Sequence, residues 1–196
     1  MKNIKKLFMT VTLTLSMFTL PIIADAASYT VQKGDTFYSI GKQYGVSVSD
    51  LKQANNRSHN TLSIGENIHI PNSTISKAEK ELLAKLVHAE AKGEPYAGKV
   101  AVATVVLNRV DHKAFPNTIK EVIYEVAGGA YAFTPVQNGT INEGYTDEDM
   151  KAVNEAIAFR GQGNGSIYFY NPKISTSQWI FSRETTITIG NHRFAK

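Results

Sequence analysis

The stretch His88-Ala89-Glu90-Ala91-Lys92-Gly93-Glu94-Pro95 decides how the larger part of this chain is read. Before it, Ser76-x-x-Glu79 forms a capping box, and Leu82, Leu83, Leu86 and Val87 follow at helical spacing, which predicts a helix reaching Glu90-Ala91. Gly93 and Pro95 then end it, because the residue before a proline is pushed out of the helical region. Glu90 therefore sits near a helix C-terminus, with Glu94 one turn later if the helix persists. The negative end of the helix dipole and an apolar wall both favour the protonated acid there. A glutamic acid still protonated near neutral pH is what glycosidic bond cleavage requires as a general acid. A glutamate on a helix is more often part of a solvated face, so the pattern alone nominates Glu90 and goes no further.

Outward from that stretch, Val100 to Val106 is almost wholly apolar, and its alanines, its length and the polar Asn108-Arg109 ending favour a buried helix over a strand. Thr118-x-x-Glu121 caps a third helix carrying Ile119, Val122 and Ile123. Thr146-Asp147-Glu148-Asp149 opens a fourth with acid at the positive end of the dipole, and Met150, Val153, Ala156 and Ile157 face inward. Beyond Gly165 the pattern changes. Ile167 to Tyr170, Trp179-Ile180-Phe181 and Thr185 to Ile189 read as short strands. Helices followed by a small antiparallel sheet make an α+β domain over residues 77–196.

A separate block occupies residues 28–71. Tyr29-Thr30-Val31 is a short strand, and Asp35 or Thr36 caps the helix that carries Phe37, Ile40 and Tyr44 on one face. Val48 to Leu51 opens a second helix closed by Asn55-Asn56. Leu62, Ile64, Ile68 and Ile70 alternate around Gly65 as a hairpin-like return. The order is βααβ. With Gly34-Asp35-Thr36, Asn55-Asn56 and Leu62-x-x-Gly65-x-x-Ile68-x-Ile70-Pro71 in these places, the block resembles a LysM module. That resemblance implies binding to N-acetylglucosamine-containing glycan, in a bacterial wall peptidoglycan. The positions matching its sugar groove are Gly34, Asp35, Thr36, Phe37, Leu62, Ser63 and Ile64. Residues 72–76 are a short polar linker.

The larger block resembles the cell wall hydrolase family of spore cortex-lytic enzymes. The resemblance is carried by Glu90-Ala91-x-Gly93-Glu94-Pro95-Tyr96, Val106-Leu107-Asn108-Arg109-Val110, Phe115-Pro116-x-Thr118-Ile119 and Phe133-Thr134-Pro135-Val136. Tyr168-Phe169-Tyr170-Asn171-Pro172, Trp179, Ser182-Arg183 and Ile189-Gly190-x-His192-x-Phe194 complete it. It implies a lysozyme-like, mainly helical catalytic domain that cuts the glycan strand between N-acetylmuramic acid and N-acetylglucosamine, with Glu90 as acid and base of a lytic transglycosylation. Glu94 is then expected to support the cleft or bind loop amides. Phe133, Tyr168, Tyr170 and Trp179 are candidates for lining sugar subsites; all but Phe133, which lies in a Gly-rich loop, read first as core. Glu121, Glu125 and Glu143 join Glu94 as candidates for a second carboxylate. Ala127-Gly128-Gly129-Ala130-Tyr131-Ala132 departs from the Gln/Pro-containing junction of family members.

Composition narrows the alternatives. The 196 residues contain no cysteine, which excludes disulfides, thiol nucleophiles, cysteine-bound zinc and a lipoprotein anchor. Met1 to Ala26 reads as a secretory signal, with Lys2, Lys5 and Lys6 ahead of a Thr-diluted apolar run and Ala24-Asp25-Ala26 as the cleavage site. Its removal takes the formal charge from +4 to +2, which does not argue for nucleic acid. An exported protein of the wall or spore is expected, without membrane attachment after cleavage, without cofactor, and monomeric. The rivals are hydrolysis of the same bond, a zinc-dependent peptidoglycan amidase and a non-catalytic glycan-binding scaffold. His88, Glu90, Glu94, His112 and His192 could be offered as zinc ligands, yet His88-x-Glu90 is not the H-E-x-x-H spacing that puts two ligands on one helix face. No metal is therefore expected.

Overall fold

The computed structural model describes residues 27–196. The predicted signal lies outside them.

The first unit pairs β1 (Ala27–Thr30) antiparallel with β2 (Asn67–Ile70), and two short helices, α1 (Phe37–Tyr44) and α2 (Val48–Ala54), cover the pair. Thr36 caps α1 with a reciprocal Ser39 contact, and Ser47 caps α2. Val31, Phe37, Ile40, Val46, Leu51, Ile68 and Ile70 form its core. One part of the sequence reading changes here. Leu62 and Ile64 make no strand; they precede a turn at Gly65 (φ +86°), and Ile64 is 71% exposed.

The second unit is built on α3 (Lys77–Ala91) and α4 (Tyr96–Val110), followed by α5 (Ile119–Ile123). A small hairpin, β3 (Val126–Ala127) with β4 (Ala130–Tyr131), turns on Gly128-Gly129, both at positive φ as a two-residue hairpin loop demands. The short helix α6 (Thr134–Asn138) and α7 (Asp147–Ala158) complete the helical layer. Ser76 and Glu79 form the expected capping box, and Thr146 and Asp149 form a further one. A three-stranded antiparallel sheet closes the domain, with β5 (Tyr168–Tyr170) and β6 (Thr185–Ile189) on either side of β7 (His192–Ala195). Trp179-Ile180-Phe181 is not a strand but part of α8 (Gln178–Phe181). Ser177 accepts from the Ile180 amide and caps the turn, which overrides the strand preference of three bulky apolar residues. The fold is α+β.

Leu83, Leu86, Val87, Val102, Val105, Val106, Ile123 and Val153 lie at the centre of the larger core, fully shielded from solvent. Ile75 joins that core at 6% exposure, so the second unit takes hold of the chain before α3 begins. The two units touch. α1 packs on α7, and Glu155 of α7 accepts from Tyr38 Oη of α1 (2.7 Å) and from Tyr96 Oη of α4 (2.8 Å) while pairing with Lys42. Burial and the Glu155 contact push Tyr38 up to about 12. Lys80 Nζ of α3 donates to Gly45 O at the end of α1 (2.8 Å). No helix among the described residues is long and apolar enough to cross a membrane.

Candidate active site

α3 and α4 meet at a sharp corner. Lys92 closes α3, the Glu94 amide donates to Ala91 O (3.0 Å), and Pro95 stands at the N-cap of α4. The helix does not persist to Glu94, so the two glutamates of the motif enter different surroundings.

Glu90 faces a cavity of about 220 Å³. Arg109 from α4, Phe133 and Thr134 at the start of α6, Phe169 and Tyr170 from β5, and His192 from β7 form most of its wall. Glu90 is the one carboxylate on that wall among the described residues. Burial pushes it up to about 7, against the opposing pull of the Arg109 guanidinium. A carboxyl in this state is about half protonated at neutral pH and can give a proton to an ether oxygen. His192 is 9% exposed, and burial holds it below the usual histidine range against the pull of Glu94. It meets the cavity as a neutral ring.

Glu94 is an anion. Burial opposes its charge, but the Asn191 amide donates to Oε2 (2.9 Å) and Asn191 Nδ2 to Oε1 (3.0 Å), and these hold it below the usual carboxylate range. It binds loop amides and ties the α3–α4 corner to the β6–β7 turn. Gly190 makes this possible, since a Cβ there would lie 1.9 Å from Glu94 Oε2. The other candidate carboxylates do not line the cavity. Glu121 accepts from Thr118 Oγ1 in the cap of α5 (2.8 Å), Glu143 pairs with Lys92 (3.3 Å), and Glu125 faces Arg109.

The aromatic candidates sort differently from expectation. Phe133 does not stand out on a loop: it is 2% exposed, with its ring against Phe169 and 5.0 Å from the Arg109 guanidinium, and it floors the cavity. Tyr170 is 8% exposed and shares that wall. Trp179, expected as core, is 52% exposed; it meets the half-buried Tyr168 edge-on (5.1 Å) and carries Arg183 over its face. Trp179 is thus the most exposed of the four rings and stands outside the wall of the Glu90 cavity.

Beneath the corner, Asp149 is fully buried. It accepts from Thr146, meets His88 Nδ1 at 2.8 Å and pairs with Lys99 Nζ at 2.8 Å, while Lys99 also reaches Glu148 (2.8 Å). Burial alone would raise Asp149, but Lys99, Thr146 and His88 bring it down to about 2. This cluster locks α3, α4 and α7 together two residues from Glu90. Sequence reasoning missed it, as it missed Arg109 and the place of His192 in the cavity. A basic residue in the last turn of a helix is ordinary dipole compensation and carries no signal of a site. Among the described residues no three His, Asp or Glu side chains converge as a metal site.

In the first unit, Val31 brings the two predicted sugar-binding segments side by side, donating to Glu66 O (2.9 Å) and accepting from the Gly65 amide (2.8 Å). Gly34 turns at φ +93°, Asp35 Oδ2 accepts from Tyr29 Oη (2.7 Å) and the Gln32 amide (2.8 Å), and Ser63 N donates to Glu66 Oε1 (3.0 Å). The Asp35 contact raises Tyr29 above the usual tyrosine range. Phe37 departs from expectation. It is 2% exposed, a core residue that offers no face to a ligand, because the first helical position of α1 points under β1 and β2. Leu62 packs partly on the same core, and Ile64 projects into solvent.

Comparison with known proteins agrees with this division. The LysM domain model matches residues 29–71 and the Cell Wall Hydrolase model residues 93–195; Glu90 stands just ahead of the latter. The spore cortex-lytic enzyme of Bacillus cereus is 41% identical over 128 residues, covering 65% of this chain and 48% of that protein. That of Bacillus subtilis is 39% identical over 121 residues, 62% of this chain and 38% of that one. The chain thus spans half or less of these relatives. The solved catalytic domain of the germination-specific lytic transglycosylase SleB from Bacillus anthracis superposes with a TM-score of 0.57 at 40% identity, covering 65% of this chain and all of that one. A helical layer closed by a small sheet, a half-buried glutamic acid at the α3–α4 corner and a family match over more than half of the residues lead to one conclusion: the chain belongs to the cell wall hydrolase family and carries a LysM domain ahead of the hydrolase domain.

Proposed function

We propose that the protein cleaves the glycan strand of peptidoglycan between N-acetylmuramic acid and N-acetylglucosamine as a lytic transglycosylase, with Glu90 as the acid and then the base. The observation that carries this reading is that, among the described residues, Glu90 is the single carboxylate on its cavity and is held up to about 7 by burial. A hydrolase of the two-carboxylate kind needs a second acid across the sugar at a fixed distance. Glu94, Glu121 and Glu143 are each engaged elsewhere, and Glu125 faces Arg109 without lining the cavity. Transglycosylation needs no partner.

In the first step the Glu90 hydroxyl gives its proton to the glycosidic oxygen, the bond from that oxygen to muramyl C1 breaks, and N-acetylglucosamine leaves with a free hydroxyl. The muramyl acetamido oxygen supports the cationic C1. In the second step the Glu90 carboxylate takes the proton of the muramyl O6 hydroxyl, and O6 closes on C1 as a 1,6-anhydro ring. The glutamic acid is restored and no water is consumed. Trp179 supplies an exposed ring for a neighbouring pyranose. The LysM unit binds the same polymer through the turns at Gly34–Thr36 and Leu62–Ile64, which fits an exported protein of the wall or spore.

The test is turnover of purified glycan strands by the protein and by Glu90→Gln. Muropeptides ending in anhydromuramic acid, absent with a folded Glu90→Gln, are the expected result. Undiminished product from Glu90→Gln overturns the assignment, and free alanine amino termini in place of glycan ends would point to amidase chemistry.

A further inference from the structure

The cavity contains a second charged group that the mechanism above does not use. Arg109 is 8% exposed, and its guanidinium is enclosed by Phe115 and Phe133 at 5.0 Å and Tyr168 at 5.7 Å. Its Nε donates to Ile167 O at 2.7 Å, which fixes the plane of the group. Among the described residues its terminal amino groups make no salt bridge, Glu125 acting on the charge without an ion-pair contact, and the side chain lines the same cavity as Glu90. A buried arginine normally has a carboxylate locked against it, because an unpaired buried charge is expensive. Here three rings hold the cation by their faces and leave the donor ends unspent.

We propose that Arg109 is a working group of the glycan-cleaving cavity: its fixed charge stabilises the carboxylate that Glu90 becomes on giving up its proton, and its terminal N–H groups donate to a carbonyl oxygen of the bound sugar. The second half rests on the peptidoglycan reading; the first does not. A planar fork with two parallel N–H groups suits a carbonyl such as that of an acetamido or lactyl substituent, which is the acceptor that distinguishes amino sugars from plain hexoses. The charge acts in the direction the chemistry needs. Burial favours the neutral acid before proton transfer, and a cation nearby limits the penalty on the anion afterwards. Other groups face the pair as well. Glu125, beyond α5, and Tyr168 on β5 act on Arg109, while His192 on β7 and Tyr170 on β5 share the cavity wall, with Glu94 held behind His192 by Asn191. Burial lowers Arg109 from its ordinary range, against Glu125, Tyr168 and Glu90, and leaves it a cation at any pH of interest.

The experiment follows the side-chain carbonyl carbon of Glu90 by NMR across pH, assigned by its loss in Glu90→Gln, in the protein and in Arg109→Lys, Arg109→Met and Arg109→Gln. Arg109→Gln keeps a donor for Ile167 O should Arg109→Met fail to fold. Removing the charge should move the Glu90 midpoint up by about one pH unit and carry the alkaline limb of kcat/KM with it. Arg109→Lys should leave the midpoint within a few tenths of a unit and raise KM about tenfold on glycan strands, because charge survives but the fork does not. An unmoved midpoint in both neutral variants overturns the charge role. An unchanged KM in Arg109→Lys overturns the donor role. Should the parent protein cut no glycan at all, the donor role falls with the proposed function, while the NMR arm still decides the charge role.

Discussion

The two units of this chain treat polar groups in opposite ways. Among the described residues the LysM unit buries one polar side chain, Ser47, and that one caps a helix; none of its ionisable groups is buried. The hydrolase domain buries Lys99, Arg109, Asp149 and His192. A module that recognises a sugar by shape can be built from turns whose amides are already organised, and it gains nothing from burying charge. A domain that must move a proton needs a carboxyl held near neutrality, and that requires taking it away from water beside groups that fix the local field.

The comparison can be broken most severely at Glu90. Glu90→Gln should lower glycan turnover by about 1,000-fold or more, because the proton donor itself is lost. Binding to intact walls should stay within about twofold, because the LysM unit is untouched; parallel loss of wall binding would show that the two units do not divide the work.

The next largest effect concerns the buried charges. Asp149→Ala leaves the buried Lys99 only its exposed partner Glu148, deprives the half-buried His88 of its contact and should cost about 3 kcal/mol of stability, seen as a lower denaturation midpoint. A loss under 1 kcal/mol would mean that the cluster is hydrated and does not lock α3 to α7.

Glu90 itself should weaken the fold. Its carboxyl lies near 4.5 in an unfolded chain and at about 7 in the folded one. The folded state therefore binds the proton more tightly. The associated stability is complete below pH 4.5, drains as the pH climbs through 7 and is absent above. Glu90→Gln cannot ionise, so it should exceed the parent in stability by about 2–3 kcal/mol at pH 8 and match its pH dependence more closely below pH 4.5. Equal stability at pH 8 would place Glu90 in water.

The smallest effect lies at the junction. Tyr38→Phe removes one hydrogen bond to Glu155 and should cost about 1 kcal/mol, read as earlier exchange of α1 amides rather than as a change in turnover. No change would mean that the α1–α7 packing carries the contact without it.

What the sequence disclosed follows from the range of each force. Capping boxes at Ser76 and Thr146, the stop at Gly93-Pro95 and the βααβ order are local, and they appear where the residues place them. Glu90 was visible because a motif marked it. Trp179-Ile180-Phe181 misled, since strand preference is a statement about packing partners, and Ser177 caps the turn before any partner strand is met. The LysM resemblance places Phe37 at the sugar groove, yet its ring is buried, because burial depends on which side of a helix start the ring leaves. Arg109 and the His88–Asp149–Lys99 cluster are assembled from separate helices, with His88 and Asp149 61 positions apart, and no spacing rule announces them.

The most direct test of the central claim is glycan cleavage in water enriched in oxygen-18, followed by mass spectrometry of the new chain ends. If Glu90 works alone and O6 closes the ring, the muramyl ends are anhydro sugars carrying no solvent oxygen. Reducing muramyl ends, each with one heavy oxygen, would show that water attacks C1 and would contradict the account.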